Sequence, residues 1–166
     1  MPAYRPTFQS DTMNDTISDS PPVQRRGNDY AIYKPNARGS GGVMRFGLNR
    51  QKGAMFVDAA RQSGERQFDW GTKITMKWGY ADLGAVLATL EGSQAQAKLF
   101  HKSEKANSAF ELISQSDPER APWIMHLSRQ ESSDQSVRKV RISMTHAEAA
   151  ILKTAIAAAI PILLGW

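Results

Sequence analysis

The feature that most constrains the fold is the spacing of the apolar residues, which changes from a period of two to a helical period part-way along the chain. Residues 43–48 (VMRFGL), 53–59 (GAMFVDA) and 73–78 (KITMKW) alternate in the manner of half-buried strands, and turn signals such as 61–66 (RQSGER) separate them. Residues 80–92 (YADLGAVLATLEG) instead place leucine and valine at helical spacing and end near a glycine. The first half of the chain therefore predicts three or four antiparallel strands followed by a helix.

The second half of the chain repeats this order. Four further strands are predicted over residues 97–102, 108–114, 121–128 and 137–144. A helix is expected after them, because Thr145 and Glu148 have the spacing of a capping box and a long apolar run follows. The repeated order predicts an α+β domain in which each of two antiparallel sheets is followed by a helix.

Charge and composition divide the chain into two parts. The formal net charge is +5, and residues 1–28 contain three arginines and three aspartates, so the whole excess lies in residues 29–166. A basic folded domain favours a polyanionic partner such as nucleic acid. Residues 1–28 are polar and lack an apolar period, which predicts a disordered tail ahead of a folded domain over 29–166. The tail has no feature of a signal or transit peptide, and we therefore expect a cytoplasmic protein of a bacterium or a virus-infected cell.

The apolar C-terminal run, which ends in IPILLGW, is suited to a membrane, a core or a partner. From Ala155 to Trp166 there are only 12 uncharged residues, fewer than the roughly 20 that a membrane-spanning helix needs. A helix of this composition is expected to be buried nearly all round. Its alanines would also permit close approach by another helix. The sequence thus predicts a core helix that doubles as an oligomer contact, with no membrane attachment.

Several segments resemble a known family. Residues 64–84 (GERQFDWGTKITMKWGYADLG) resemble the part of the plant Whirly single-stranded-DNA-binding proteins in which R-Q-Y-D-W precedes a basic strand and a helix. KLFHK at 98–102 is similar to the family's E-F-F-H-D strand, and the end of the chain shares its terminal G-W. The chain departs from the pattern at Phe68, where the plant proteins usually have tyrosine, and at 34–42 (KPNARGSGG), which replaces K-G-K-A-A-L-T. Relatives of this family in prokaryotes and phages would have the same layout.

The resemblance implies a specific fold and activity. It implies two four-stranded antiparallel sheets packed crosswise, each followed by a helix, in homotetramers whose C-terminal helices meet at the centre. It also implies sequence-tolerant binding of single-stranded DNA without a cofactor, in replication, recombination, repair or transcription. The replaced K-G-K-A-A-L-T motif is tied to DNA contact and to higher assembly. Lys34 matches its first lysine, and Arg38 is the substitute we assign to the second.

Single-strand binders combine cations for phosphates with exposed aromatic rings for bases, and this sequence interleaves the two. The candidate DNA-binding residues are Lys34, Arg38, Arg45, Arg66, Phe68, Trp70, Lys73, Lys77, Lys98 and Phe100. Core packing is an equally good interpretation for three aromatic residues, namely Phe46, Trp78 and Phe100. Trp70 is also suited to a structural role in the turn before a strand, with Asp69 as a local hydrogen-bond acceptor.

Catalytic signatures are absent from the sequence. The three histidines, His101, His126 and His146, are scattered, there is no cysteine, and no catalytic or metal-binding motif is found. GSGG at 39–42 leads into a strand, which favours a hairpin turn over a phosphate loop. We expect no enzyme, no metal and no cofactor. Two alternatives stay open: an RNA-binding module of the same fold, and a structural oligomer whose basic surface has no nucleic-acid role.

Overall fold

The computed structural model describes residues 29–117 and 119–166, and the predicted tail over 1–28 lies outside the described residues. The predicted order of strands and helices is confirmed, with two antiparallel sheets that are each followed by a helix. The first half contains β1 (Tyr30–Lys34), β2 (Gly42–Asn49), β3 (Ala54–Gly64), β4 (Gln67–Phe68), a 3-10 turn (Trp70–Thr72), β5 (Ile74–Trp78) and α1 (Tyr80–Leu90). The second half contains β6 (Gln96–Lys102), β7 (Ala106–Ser114), β8 (Trp123–Glu131), β9 (Val137–Met144) and α2 (His146–Leu164).

The first sheet has the order β1-β2-β3-β5, and the two-residue β4 pairs with the far end of β3. The turn predicted over 61–66 is present but shorter, because β3 continues to Gly64 and only residues 65–66 form the turn before β4. These polar residues stay extended because both of their edges find backbone partners. On one side the Gln62 amide donates to the Gly41 carbonyl at 2.9 Å, and on the other side β4 pairs with the strand.

The inner faces of the two sheets share one core with the buried sides of both helices. Trp78 lies near its centre, fully buried, with ring centroids 5.8 Å from Phe46 of its own sheet and 4.7 Å from Phe110 of the other. The alternative left open for Phe46 and Trp78 is therefore decided in favour of core packing. Phe100 differs from both, since 64% of its surface is exposed.

α2 begins at the predicted capping box. The Thr145 hydroxyl accepts from the Glu148 amide at 3.1 Å, and the Glu148 carboxylate accepts from the Thr145 amide at 2.8 Å. The helix ends at Leu164 and is capped by Gly165, which adopts a left-handed φ of 78°.

The expectation that α2 is buried nearly all round is wrong for the single chain. Four of its residues are buried, namely Ala149, Leu152, Ile156 and Ala159. Among the residues that the structure describes, α1 and the sheets cover one side of the helix, and the opposite side is exposed. By length and composition alone, α2 is long and apolar enough to cross a membrane.

Candidate nucleic-acid interface

One end of the first sheet carries a groove lined by three aromatic side chains. β3 and β4 are joined by a tight turn in which Arg66 adopts a left-handed φ of 56°, and the pairing shifts register between Gln62 and Gly64. This turn brings Phe68 back against Tyr33 of β1, with ring centroids 5.5 Å apart. The aromatic groove has a volume of about 590 Å³ and is lined by Tyr33, Pro35, Ser63, Arg66, Gln67, Phe68 and Trp70.

The turn after β4 fixes the position of Trp70 in this groove. The Asp69 carboxylate accepts hydrogen bonds from the Gly71 amide at 3.1 Å and the Thr72 hydroxyl at 2.8 Å. The predicted role of Asp69 as a local acceptor is confirmed. Arg138 of β9 donates to the Thr72 carbonyl at 2.9 Å, which anchors the turn to the second sheet. Trp70 is therefore held in place while part of its surface stays accessible.

Arg45, predicted to contact DNA, packs against Trp70. Its guanidinium carbon lies 4.4 Å from the centre of the Trp70 ring, a cation–π contact. Its Nη2 donates to Asp58 at 2.8 Å, and Asp29 lies 3.6 Å from its Nε. Arg45 thus helps to hold the Trp70 indole in place. A phosphate that approached Arg45 would compete with the carboxylates of Asp58 and Asp29 for its charge.

Asp58 holds several donors together on the outer face of the first sheet. Besides Arg45, it accepts from the Thr75 hydroxyl and from Lys73 Nζ at 3.3 Å. Burial alone would raise the pKa of the Asp58 carboxyl, but the hydrogen bonds from Arg45 and Thr75 and the charge of Lys73 outweigh it, so its pKa lies below the usual value. Asp58 consequently neutralises part of the positive charge of Arg45 and Lys73, two residues that the sequence predicts to contact nucleic acid.

The remaining predicted cations of the first sheet differ in how they are paired. Lys34 forms an ion pair with Glu148 of the α2 capping box at 2.8 Å, so it joins β1 to the start of α2. Arg38, Arg66 and Lys77 are exposed. Among the residues that the structure describes, none of these three has an acidic partner within ion-pair distance. They are the cations most available to a phosphate backbone.

The ten candidate residues do not form one surface. Arg66, Phe68 and Trp70 share the aromatic groove, and Arg45, Lys73 and Lys77 lie on the adjoining outer face of the first sheet. Lys34 and Arg38 belong to the β1–β2 hairpin. Lys98 and Phe100 project from β6 of the second sheet, away from the buried Ala97 and Leu99.

Sequence reasoning missed Tyr33, which is 54% exposed and forms one wall of the aromatic groove. The signal was present, because Ile32 alternates with Tyr33 in β1 and a buried isoleucine turns its neighbour outward. The contact between Tyr33 and Phe68 could not be foreseen, since it depends on the bend of the chain at Arg66.

A metal site is not formed by the described residues, since no group of three or more histidine, aspartate or glutamate side chains comes together there. His101 has a structural partner instead. Its Nε2 lies 3.0 Å from the Asp82 carboxylate, which also accepts from the Gly79 amide at the start of α1. The pair ties β6 to the N-terminus of α1.

Comparisons with known proteins place this geometry in context. The family model described as Whirly transcription factor matches residues 41–155, and no curated protein matches the sequence. The chain is similar to the solved structure of WHY3 from Arabidopsis thaliana, with a TM-score of 0.69 and 21% identity over 89% of this chain and 92% of that chain. WHY1 from the same plant gives a TM-score of 0.69 and 19% identity over 84% and 86% of the two chains. A guideRNA-binding protein complex bound to a gRNA is also similar, with a TM-score of 0.59 and 16% identity over 83% and 92%.

Proposed function

Because the chain belongs to the Whirly family, whose model matches residues 41–155, we propose that it binds single-stranded DNA with little sequence preference. Its role would be to protect exposed single strands in replication, recombination, repair or transcription, in the cytoplasm of its host. Proteins of this family are non-enzymatic and bind nucleic acids, in agreement with the expectation that the chain is not an enzyme. The observation that carries the proposal is the aromatic groove with Arg66 at its rim.

The groove offers what an unpaired base needs. Tyr33, Phe68 and Trp70 present partly exposed rings, and every base has a π-face that can stack on such a ring, at about 1–3 kcal/mol per base. Stacking does not read base identity, so binding is tolerant of sequence. A duplex hides its base faces within its own stack and would leave the groove empty.

The cations around the groove would follow the phosphate backbone. Arg66 lies at the groove itself, Arg38 on the neighbouring hairpin, and Lys77 on the same sheet. Each phosphate contact releases counterions, so affinity falls as salt rises, with a slope of about −0.7 per contact on single strands. This part of the binding energy is also independent of sequence.

RNA is the second candidate ligand, and one observation favours it. A complex bound to a gRNA has a similar fold. Stacking and phosphate contacts serve either polymer, because the difference between them is read at the 2′-hydroxyl. The third alternative, a structural oligomer without a nucleic-acid role, predicts no binding of either.

We also propose that the protein assembles as a homotetramer through α2. The helix leaves Ile151, Ile162, Leu164 and the following Trp166 exposed. Exposed apolar surface of this kind is typical of protein interfaces. Assembly would bring several grooves within reach of one strand.

The decisive experiment compares the binding of labelled single-stranded DNA, duplex DNA and RNA of equal length at two salt concentrations. We expect single strands to bind much more tightly than duplex. The groove variant is Tyr33→Ser, which should weaken single-strand binding about fivefold or more, and Tyr33→Phe is the matched control that keeps the ring. Equal affinity for duplex and single strand, or no effect of Tyr33→Ser, would argue against the groove as the binding site.

A second variant isolates the charge. Arg66→Asn removes the cation, and asparagine tolerates the left-handed backbone at this position. We expect it to weaken binding to all base compositions alike and to reduce the salt slope by about 0.7.

A further inference from the structure

The outer face of the second sheet carries a separate arrangement of one exposed ring and four surrounding basic residues. Lys98, Phe100 and Lys102 project from β6, and Lys139 and Arg141 project from β9 at the opposite edge. All five are exposed. We call this surface the second-sheet face. It lies across the shared core from the outer face of the first sheet.

The register of the strands leaves an unobstructed lane across this face. Phe100 is paired with Ala109, Ala109 with Ser128, and Ser128 with Lys139. Ala109 and Ser128, which lie between Phe100 and Lys139, have small side chains, so no bulky side chain separates the ring from the lysine. Three strand spacings of about 4.8 Å place the two ends of the lane about 14 Å apart, a distance that a short stretch of single strand bridges.

The charges on the face are predominantly positive. The neighbouring row runs from Lys98 through Glu111 and His126 to Arg141. Glu111 is thus the one acid in these two rows, and it is flanked by Lys98 and His126. A polyanion on this face would therefore meet four basic residues around Phe100, namely Lys98, Lys102, Lys139 and Arg141.

We propose that the second-sheet face is a second contact surface for single-stranded nucleic acid, with Phe100 as the stacking platform and Lys139 and Arg141 as phosphate ligands. The aromatic ring selects this ligand over an acidic protein, because it is isolated and 64% exposed, as suits a base stacked on its face. The inference rests on the proposed function and adds a surface to it. A strand that leaves the aromatic groove would continue onto a second-sheet face of the same or a neighbouring subunit.

The test is ultraviolet cross-linking of the full chain to single-stranded DNA that carries 5-iododeoxyuridine, followed by mapping of the linked peptides. We expect cross-links both in the aromatic groove and at Phe100. Cross-links in the groove alone would overturn this inference and leave the proposed function intact. No cross-link at either place would reject both.

Variants give an independent readout. We expect Phe100→Leu to weaken single-strand binding about fivefold or more at an unchanged salt slope, whereas Phe100→Trp retains affinity. Lys139→Ala with Arg141→Ala should reduce the salt slope by about 1.4, and Arg50→Ala with Lys52→Ala, in the β2–β3 turn, is the control that removes the same charge.

An acidic competitor separates the two classes of partner. The inhibition constant of polyglutamate, corrected for the DNA affinity of each protein, should be the same for the wild type and for Phe100→Leu, because the peptide offers no base to stack. If polyglutamate bound the second-sheet face tightly while Phe100→Leu left DNA affinity unchanged, the face would be a site for acidic protein and the inference would be wrong.

Discussion

Lys73, immediately before β5, and Lys77, within it, lie on the same face of the first sheet, yet their surroundings differ. Lys73 lies 3.3 Å from Asp58, whereas Lys77 has no acidic partner within ion-pair distance among the residues that the structure describes. A phosphate gains less from a lysine whose charge is already balanced. The sequence, which places both lysines on the basic side of a strand, does not reveal this difference, because Asp58 reaches β5 only through the pairing of β3 with it.

Salt dependence measures the contribution of each lysine. We expect Lys77→Ala to reduce the salt slope of single-strand binding by about 0.7 and to leave the unfolding free energy within about 0.5 kcal/mol of wild type. Lys73→Ala should reduce the slope by less, since Asp58 competes for its charge. Binding titrations at several salt concentrations give both slopes. No effect of either variant would show that this face does not meet the nucleic acid, and a larger effect of Lys73 than of Lys77 would show that Asp58 does not weaken the Lys73 contact.

Asp58 has a stability role that can be tested through pH. Asp58→Asn removes the carboxylate that holds Arg45, Lys73 and Thr75, and we expect it to lower the unfolding free energy at pH 7 by about 1.5–3 kcal/mol. The folded-state pKa of Asp58 is depressed. Its stabilisation is therefore complete above the usual aspartate pKa of about 3.9 and declines as pH falls through the folded-state value.

Urea unfolding of wild type and Asp58→Asn across this pH range is the measurement. The two curves of stability against pH should converge in acid. Glu104→Gln, in the exposed β6–β7 turn, is the control that removes a carboxylate outside any observed ion pair. A gap between wild type and Asp58→Asn that stays constant down to low pH would contradict the assignment.

The bounds of a strand or helix could be predicted where burial imposes a period on the apolar residues. They could not be predicted where the conformation depends on partners that are distant in the sequence. β9 matches its predicted range of 137–144, because Val140, Ile142 and Met144 alternate with charged residues. The far end of β3 was missed, since its polar residues are held extended by Gly41 and β4 rather than by an apolar face. The aromatic groove likewise depends on the packing of Phe68 against Tyr33 after the turn at Arg66, and no local pattern indicates that contact.

Trp78 shows how an element is held in the core. It joins the two sheets through Phe46 and Phe110, so Trp78→Ala should cost about 3–5 kcal/mol of unfolding free energy. Its buried Nε1 has no hydrogen-bond partner in the part of the chain that the structure describes. Trp78→Phe removes that donor and keeps a ring, so we expect it to cost clearly less. Chemical denaturation measures both. An alanine variant of near wild-type stability would show that the indole is not a core residue.

At the scale of the whole molecule, α2 relates folding to assembly. The sequence shows how long the apolar run is. It does not show whether the run is buried within one chain or between several chains, because an apolar side chain is removed from water equally well in either case. The structure divides the helix into a side facing the core and a side with exposed Ile151 and Ile162. The aromatic groove and the second-sheet face are both built within one chain. Assembly would therefore act by placing several such surfaces along one strand.

Charge placed on the open side of α2 tests this arrangement. We expect wild type to be a tetramer by light scattering at micromolar concentration and Ile151→Glu to dissociate, because a carboxylate in an apolar interface must be desolvated without a partner. Val137→Glu is the matched control, since Val137 is 45% exposed and Ile151 51%. Both variants should keep the wild-type circular dichroism spectrum. If assembly aligns the binding surfaces, Ile151→Glu should bind short oligonucleotides like the wild type and lose affinity for long ones. A tetrameric Ile151→Glu would show that this side of α2 is not the contact, and a monomeric wild type would show that each chain binds its nucleic acid alone.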